Sequence, residues 1–228
     1  VPEVPVLTID GPSGSGKGTV SRAVASALGW GLLDSGALYR LVALAGRSAG
    51  ISLDDEAALA RLADQFDIRF GSTPAGDEVV WLAGRDVTGA LRTEAAGNDA
   101  SKVAALPAVR AALLERQRRF AVPPGLVADG RDMGTVVFPQ AGLKIFLTAS
   151  PDERALRRHK QLKEKGVAAT LAALSLEIAE RDRRDSTRAV SPLVASADAV
   201  LFDTTGMSVE AVVERVLALA RSRLLPGS

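Results

Sequence analysis

A layered α/β fold with a central parallel sheet flanked by helices is predicted by three observations. Short apolar runs that end in polar residues recur along the chain: Val4 to Ile9, Leu126 to Ala128 before Asp129, and Leu143 to Leu147 before Thr148. Such runs read as strands buried on both faces. The segment after the first run, Gly18 to Leu28, has apolar residues at Val20, Ala23, Val24, Ala27 and Leu28, the spacing of a helix. Between that strand and that helix lies the glycine-rich stretch GPSGSGKGT, residues 11–19.

The pattern changes in the middle of the chain. DIRF (67–70) and EVVWLAGRDV (78–87) flank STPAG, which carries the proline and glycine of a turn. An antiparallel hairpin inserted in a βα series predicts a separate small lobe over 63–102, with residues 1–62 and 103–228 forming the core domain. Pro107 opens the next helix, at the position where a missing amide costs nothing. Residues 151–188 read as two strongly charged helices joined near Lys165 and Gly166, and Ser208 to Leu225 as an amphipathic helix docked on the sheet.

With 228 residues, 47% of them apolar, the chain can bury a full core, and its length suits one domain with an insertion. Lys and Arg number 28 against 27 Asp and Glu, a formal charge of +1. That balance argues against a nucleic-acid surface, as does an aromatic content of only 4%. There is no cysteine, which excludes disulfides and thiolate chemistry and suits a reducing cytoplasm. VPEVPVLTID lacks the basic flank and apolar core of a signal peptide, and no uncharged apolar run approaches ~18 residues. The expectation is a cytoplasmic protein that neither enters a membrane nor is exported, acting as a monomer.

GPSGSGKGT meets the pattern G-x-x-x-x-G-K through Gly11, Gly16 and Lys17, in the strand-loop-helix setting that the pattern requires. Gly11, Gly14 and Gly16 let successive N–H groups turn inward, Lys17 adds a charge, and the helix beginning near Gly18 adds its positive end. Together these make a nest for polyphosphate. Gly18 stands where such loops commonly carry a hydroxyl, which moves here to Thr19 and makes direct magnesium coordination by the loop less assured. The loop alone does not separate a kinase from a nucleotide-dependent switch or an assembly ATPase.

Three further stretches bear on that choice. In LLDSGALYR (32–40), Ser35, Tyr39 and Arg40 could grip a phosphate monoester, or Ser35 could simply cap a helix running on from Gly36. VADGRDMGTVVFP (127–139) groups Asp129, Arg131 and Asp132 in a short loop at the end of a buried strand, where open α/β sheets bind ligands. In IAERDRRDSTRAVSPL (178–193), Arg181, Asp185 and Arg188 fall along one helical face if the helix persists that far, either for phosphoryl transfer or as a solvated charged face. ERQRRF (115–120) and the lone His159 are read as surface.

Taken in order and at their spacing, GPSGSGKGT, LLDSGALYR, DGRDMGTVVFP, the hairpin insert and ERDRRDSTRAVSPL resemble the bacterial-type cytidylate kinase family over essentially the whole chain. The resemblance implies a P-loop kinase fold with an inserted nucleoside monophosphate-binding lobe and a helical lid at 151–188. It implies transfer of the ATP γ-phosphoryl group to CMP or dCMP, with magnesium required. It places ATP phosphates on Gly11, Pro12, Ser13, Gly14, Ser15, Gly16, Lys17, Gly18 and Thr19, with lid arginines drawn from Arg154, Arg157 and Arg158. Arg40, Arg131 and Arg188 match the family's acceptor-phosphate arginines, with Ser35 and Tyr39 nearby. Ser101, Arg110 and Asp132 match its cytosine-reading groups, and Asp185 and Arg181 its ribose contacts. Lys17, Arg131, Asp132 and Arg188 are the expected catalytic set, and Asp34 and Asp129 the expected outer shell of the ion. A kinase for another small acceptor, such as UMP or a sugar acid, is the nearest rival. No Asn-Lys-x-Asp stretch of a guanine-reading switch is present.

Overall fold

The computed structural model describes residues 4–72, 78–164 and 166–225. The turn expected at STPAG falls mostly on residues 73–77, and Lys165 at the expected helix joint is also outside the described residues. The chain divides into two compact units, Val1–Asp34 with Gln117–Ser228, and Ser35–Arg116.

In the first unit, β1 (Val6–Asp10), β2 (Gly31–Asp34), β6 (Leu126–Gly130), β7 (Leu143–Thr148) and β8 (Val200–Asp203) form one sheet in the order β2-β6-β1-β7-β8. Every pairing in it is parallel. Two helices, α1 (Lys17–Leu28) and α9 (Val209–Leu224), cover one face. Alternation along β1 turns Leu7 and Ile9 toward that face, where they meet Val20, Val24, Val212 and Val216 in the buried core. Thr8 and Asp10 therefore point to the opposite face. The amphipathic reading of the terminal segment holds: Ser208 caps α9 by accepting from the Ala211 N–H, and Val212, Val216 and Ala220 are its buried stripe.

The charged segment after β7 forms α7 (Pro151–Glu164) and α8 (Leu171–Thr187), which pack together. Helix α8 ends one residue short of Arg188, whose φ of −57° and ψ of 136° are extended. The single helical face expected for Arg181, Asp185 and Arg188 is thus broken at its last member. Two bonds hold the departing chain: the Leu193 N–H donates to the Asp185 carbonyl at 2.8 Å, and Arg188 Nη2 donates to the Ser191 carbonyl at 2.7 Å.

The second unit contains α2 (Ser35–Ser48), α3 (Glu56–Asp64), β3 (Ile68–Ser72), β4 (Glu78–Leu82), β5 (Arg85–Asp86), α4 (Thr88–Leu91), α5 (Glu94–Val103) and most of α6 (Pro107–Arg118). Strands β3, β4 and β5 form an antiparallel sheet inside the 63–102 segment, while the compact unit also takes in α2 and α3 because α2 packs on α5 and α3. EVVWLAGRDV is not one strand. Ala83 at φ 48° and Gly84 at φ 75° make a two-residue hairpin turn, a left-handed pair that matches strand twist. Helix α2 begins at Ser35 itself, so that residue lies inside the helix rather than before it.

Leu7 is fully buried between α1 and α9, so Leu7→Ala is expected to lower unfolding stability by about 2–5 kcal/mol, read by urea denaturation.

Candidate active site

The loop from Gly11 to Gly16 joins the carboxyl end of β1 to α1, at the strand where the sheet order reverses direction, the usual ligand position in such sheets. Its glycines are demanded by space and by backbone conformation. A Cβ on Gly11 would stand 2.0 Å from the Leu147 carbonyl oxygen of β7, an impossible approach. Gly16, at φ 88°, is the N-cap of α1 and supplies no capping side chain, so the first N–H groups of α1 remain for a ligand. Lys17 Nζ donates to the Pro12 carbonyl at 3.2 Å, so the lysine folds back over the loop.

Gly18 has a reason of its own. Parallel register sets Ile9 beside Asp129, and alternation sends the Asp129 side chain to the face covered by α1. A Cβ on Gly18 would lie 3.2 Å from Asp129 Oδ2. A buried carboxylate thus occupies the space beside the helix start that a larger residue would need. Asp34 stands beside Asp129 in the register of β2 and β6. Burial raises the Asp129 carboxyl to about 6, opposed by Lys17, and burial lowers the Lys17 ammonium to about 7, with Arg131 adding to the effect.

Beyond β6, Arg131 donates from Nε to Asp185 Oδ2 at 2.9 Å and from Nη1 to the Gly130 carbonyl at 3.1 Å. Burial alone would raise the Asp185 carboxyl, but Arg131 in contact, with Arg188 and Arg181 beyond, holds it below the usual carboxylate range. Asp132, Asp185 and Arg188 are buried, and Arg181 is half-buried. The structure therefore brings Lys17, Asp129, Arg131, Arg181, Asp185 and Arg188 into one electrostatically linked group at the carboxyl ends of β1 and β6.

The arginines of α7 have partners in the protein. Arg154 donates to the Ser13 carbonyl at 3.0 Å, to the Ala149 carbonyl at 3.1 Å and to Asp182 Oδ2 at 2.6 Å. Arg157 donates to the Ser15 and Thr204 carbonyls, at 3.3 Å and 2.6 Å, and pairs with Glu153. Both guanidiniums brace the glycine loop from behind. Arg158 Nη1 donates to Gln161 Oε1 at 3.1 Å.

In the second unit, Ser35 and Tyr39 are buried on α2, where Arg40 is half-buried, and Ser101 is buried on α5. The Arg110 guanidinium lies over the Tyr39 ring at 5.6 Å from its centre and donates to the Ala104 carbonyl at 3.1 Å. A buried serine and a buried, stacked guanidinium are polar groups suited to reading the edge of a base. His159 is half-buried, and ERQRRF is partly structural: Arg116 donates to the Phe66 carbonyl, Gln117 is buried and Arg118 donates to the Val137 carbonyl.

Residues 7–222 match the family model described as cytidylate kinase. The chain belongs to the cytidylate kinase family. Curated members resemble it along nearly their full length: the cytidylate kinase of Azotobacter vinelandii is 58% identical, with 97% of each chain covered. That of Stutzerimonas stutzeri is 57% identical with 98% of each covered, and that of Methylococcus capsulatus 57% identical with 96% of this chain and 98% of the relative covered.

Sequence reasoning passed over three residues in this cytidylate kinase family member. Asp10 is buried and accepts the Met133 and Gly134 N–H groups at 2.9 Å and 2.8 Å. Its signal was an acid closing an otherwise apolar strand directly before the first loop glycine. Thr204 and Asp182, the partners of Arg157 and Arg154, left no mark in the sequence because both contacts join distant segments. No group of three or more His, Cys, Asp or Glu among the described residues could hold a metal. Two strand-end carboxylates beside a phosphate nest nevertheless fit a hard cation that takes the rest of its shell from phosphates and water. No helix among the described residues is long and apolar enough to cross a membrane.

A Cβ at 3.2 Å asks Asp129 Oδ2 to give by a few tenths of an ångström, so Gly18→Ser and Gly18→Ala are both expected to lower turnover, by roughly a few-fold. Equal losses in the two variants, in steady-state assays, would mark the effect as steric. Burial draws the Lys17 ammonium down from its ordinary value and an arriving anion draws it back up, so inorganic triphosphate without divalent cation should bind near neutral pH with net proton uptake. Calorimetry in buffers of different ionisation enthalpy measures that uptake, which Lys17→Met should largely remove.

Proposed function

We propose that this chain transfers the γ-phosphoryl group of ATP to CMP or dCMP, giving the diphosphate and ADP. The observation that carries the reading is the joining of a polyphosphate nest to the half-buried Arg131 and the buried Asp185 and Arg188 in a member of this family. A nucleotide switch has no use for that second set of arginines.

Phosphoryl transfer through a loose transition state calls for alignment and charge neutralisation more than for a strong base. The loop of residues 11–19, through its unspent backbone N–H groups and the dipole of α1, takes the ATP phosphates, and Lys17 spans toward the transferring group. Arg131 and Arg188, with Arg40, hold the acceptor phosphate, Ser35 and Tyr39 assist, and Asp185 and Arg181 take the ribose. Ser101, Arg110 and Asp132 read the base: cytosine differs from uracil by an amino donor, which a carboxylate accepts. Magnesium, when bound, neutralises charge on the phosphates. Asp34 and Asp129 would hold it through water. Segment 151–188 acts as the lid that excludes water, with Arg157 and Arg158 the arginines assigned to ATP. Freedom from cysteine suits work in the cytoplasm, and the chain is read as a monomer.

The test is a panel of acceptors with ATP and magnesium, read as coupled ADP release. CMP and dCMP should be the preferred acceptors. Preference for UMP or a sugar acid would move the protein to another kinase class, and hydrolysis indifferent to any acceptor would make it a switch or assembly ATPase. Arg188→Ala should lower turnover roughly hundredfold or more while leaving ATP affinity intact, and Asp132→Ala should narrow the CMP over UMP ratio.

A further inference from the structure

The loop Arg131-Asp132 has the same residue of the neighbouring strand beside it at both ends. On its near side, Asp10 is the register partner of Gly130 in the pairing of β1 with β6. On its far side, a turn of π-helix spans Met133–Val137, and its first two N–H groups are taken by Asp10: Met133 N–H donates to Oδ1 at 2.9 Å and Gly134 N–H to Oδ2 at 2.8 Å. Asp132 occupies the N-cap position of that turn at φ −144° and ψ 23°, yet its own side chain makes no capping bond. In ordinary capping the side chain at that position is consumed by the turn. Here the cap comes from another strand, and the Asp132 carboxylate is not committed to those N–H groups.

The turn also lies flush on β1. A Cβ on Gly134 would meet Thr8 Oγ1 at 2.9 Å, so the close approach that Asp10 needs is permitted by glycine. Asp10 itself is 5% exposed, and each of its oxygens already accepts an N–H. It acts through the backbone it holds.

We propose that Asp10 is a positioning residue for the acceptor: its carboxylate clamps the far end of the Arg131-Asp132 loop, whose near end is already paired with β1, and so sets where the guanidinium and the carboxylate stand. The inference rests on the reading of those two residues as acceptor contacts.

The experiment compares Asp10→Asn and Asp10→Ala with the unaltered chain in two readouts. Asparagine keeps the shape but turns an NH2 group against a backbone N–H, and alanine removes both acceptors. KM for CMP is expected to rise roughly tenfold in the Asn variant and further in the Ala variant, the CMP over UMP ratio to narrow, and KM for ATP to stay unchanged. In amide exchange followed by NMR, Met133 and Gly134 should be protected in the unaltered chain and exchange faster in the Asn variant, with the Ile145 amide in the sheet unmoved. A fall in turnover with both KM values and the base ratio unchanged, or exchange that quickens throughout the sheet, would overturn the proposal and leave Asp10 a plain stabilising group. Lack of protection at Met133 and Gly134 in the unaltered chain would overturn it without any variant having to fold. If the unaltered chain phosphorylates no CMP, the functional reading fails, while the amide exchange still decides whether Asp10 holds the loop.

Discussion

Asp10, Lys17 and Asp129 are withdrawn from water at the carboxyl ends of two neighbouring strands, and charge in that setting persists only where other charges or oriented dipoles answer it. The responses differ with the face of the sheet. On the α1 side, Asp129 and Lys17 oppose one another beside the open N–H groups of the helix. On the other side, Asp10 is met by two backbone N–H groups. Alternation along two paired strands therefore sorts the carboxylates, one toward the phosphate nest and one toward the loop that carries Arg131 and Asp132. In the proposed function an arriving polyphosphate would complete a charge balance that the protein leaves partial.

The same economy of position governs α7. Gly14, at φ 77°, comes so near that a Cβ there would stand 3.1 Å from the Arg154 Cβ, and Arg154 and Arg157 donate to the Ser13 and Ser15 carbonyls. The Ser13 and Ser15 carbonyls thus each find a guanidinium. The start of α7 is bolted to the nest and Asp182 of α8 is tied to it through Arg154, so the proposed lid would have to close through other parts of 151–188. A phosphate role for Arg157 would require it to share donors it already spends on Ser15 and Thr204.

Much of this was legible in the sequence because the constraints are local. A loop that must aim N–H groups inward needs glycine at fixed intervals, and a strand buried on both faces must be apolar, so β1, α1 and the nest are readable at residues 6–28. The Ala83-Gly84 turn was hidden because its flanks, EVVWL and RDV, carry β-formers across it and alanine gives no turn signal. The departure of Arg188 from α8 was hidden for another reason: the bonds that peel it away come from Ser191 and Leu193, beyond the periodic stretch. Sequence alone moves the hydroxyl from position 18 to Thr19; the physical neighbour of Gly18, Asp129, is supplied only by the register of β6. Contacts between segments more than a hundred residues apart, Asp10 with Met133 and Arg154 with Ser13, have no signature in spacing at all.

Perturbed carboxylates in a cleft ordinarily invite an acid–base reading, and Asp10 at about 7 with Asp129 at about 6 would be candidates. The chemistry of the acceptor argues otherwise. A phosphate monoester has a second pKa of about 6 and is already a competent nucleophile at neutral pH, so no proton has to be removed for transfer to begin. Neither carboxylate is placed to remove one, since Asp10 has both oxygens engaged by backbone and Asp129 faces the start of α1 beside Lys17. Their raised affinity for protons is the cost of burial beside groups that must stay dry. What the proposed site would gain is a fixed field, with carboxylates that orient cations and cations placed for phosphate, and in a reaction governed by alignment such a field is ordinarily the larger part of catalysis.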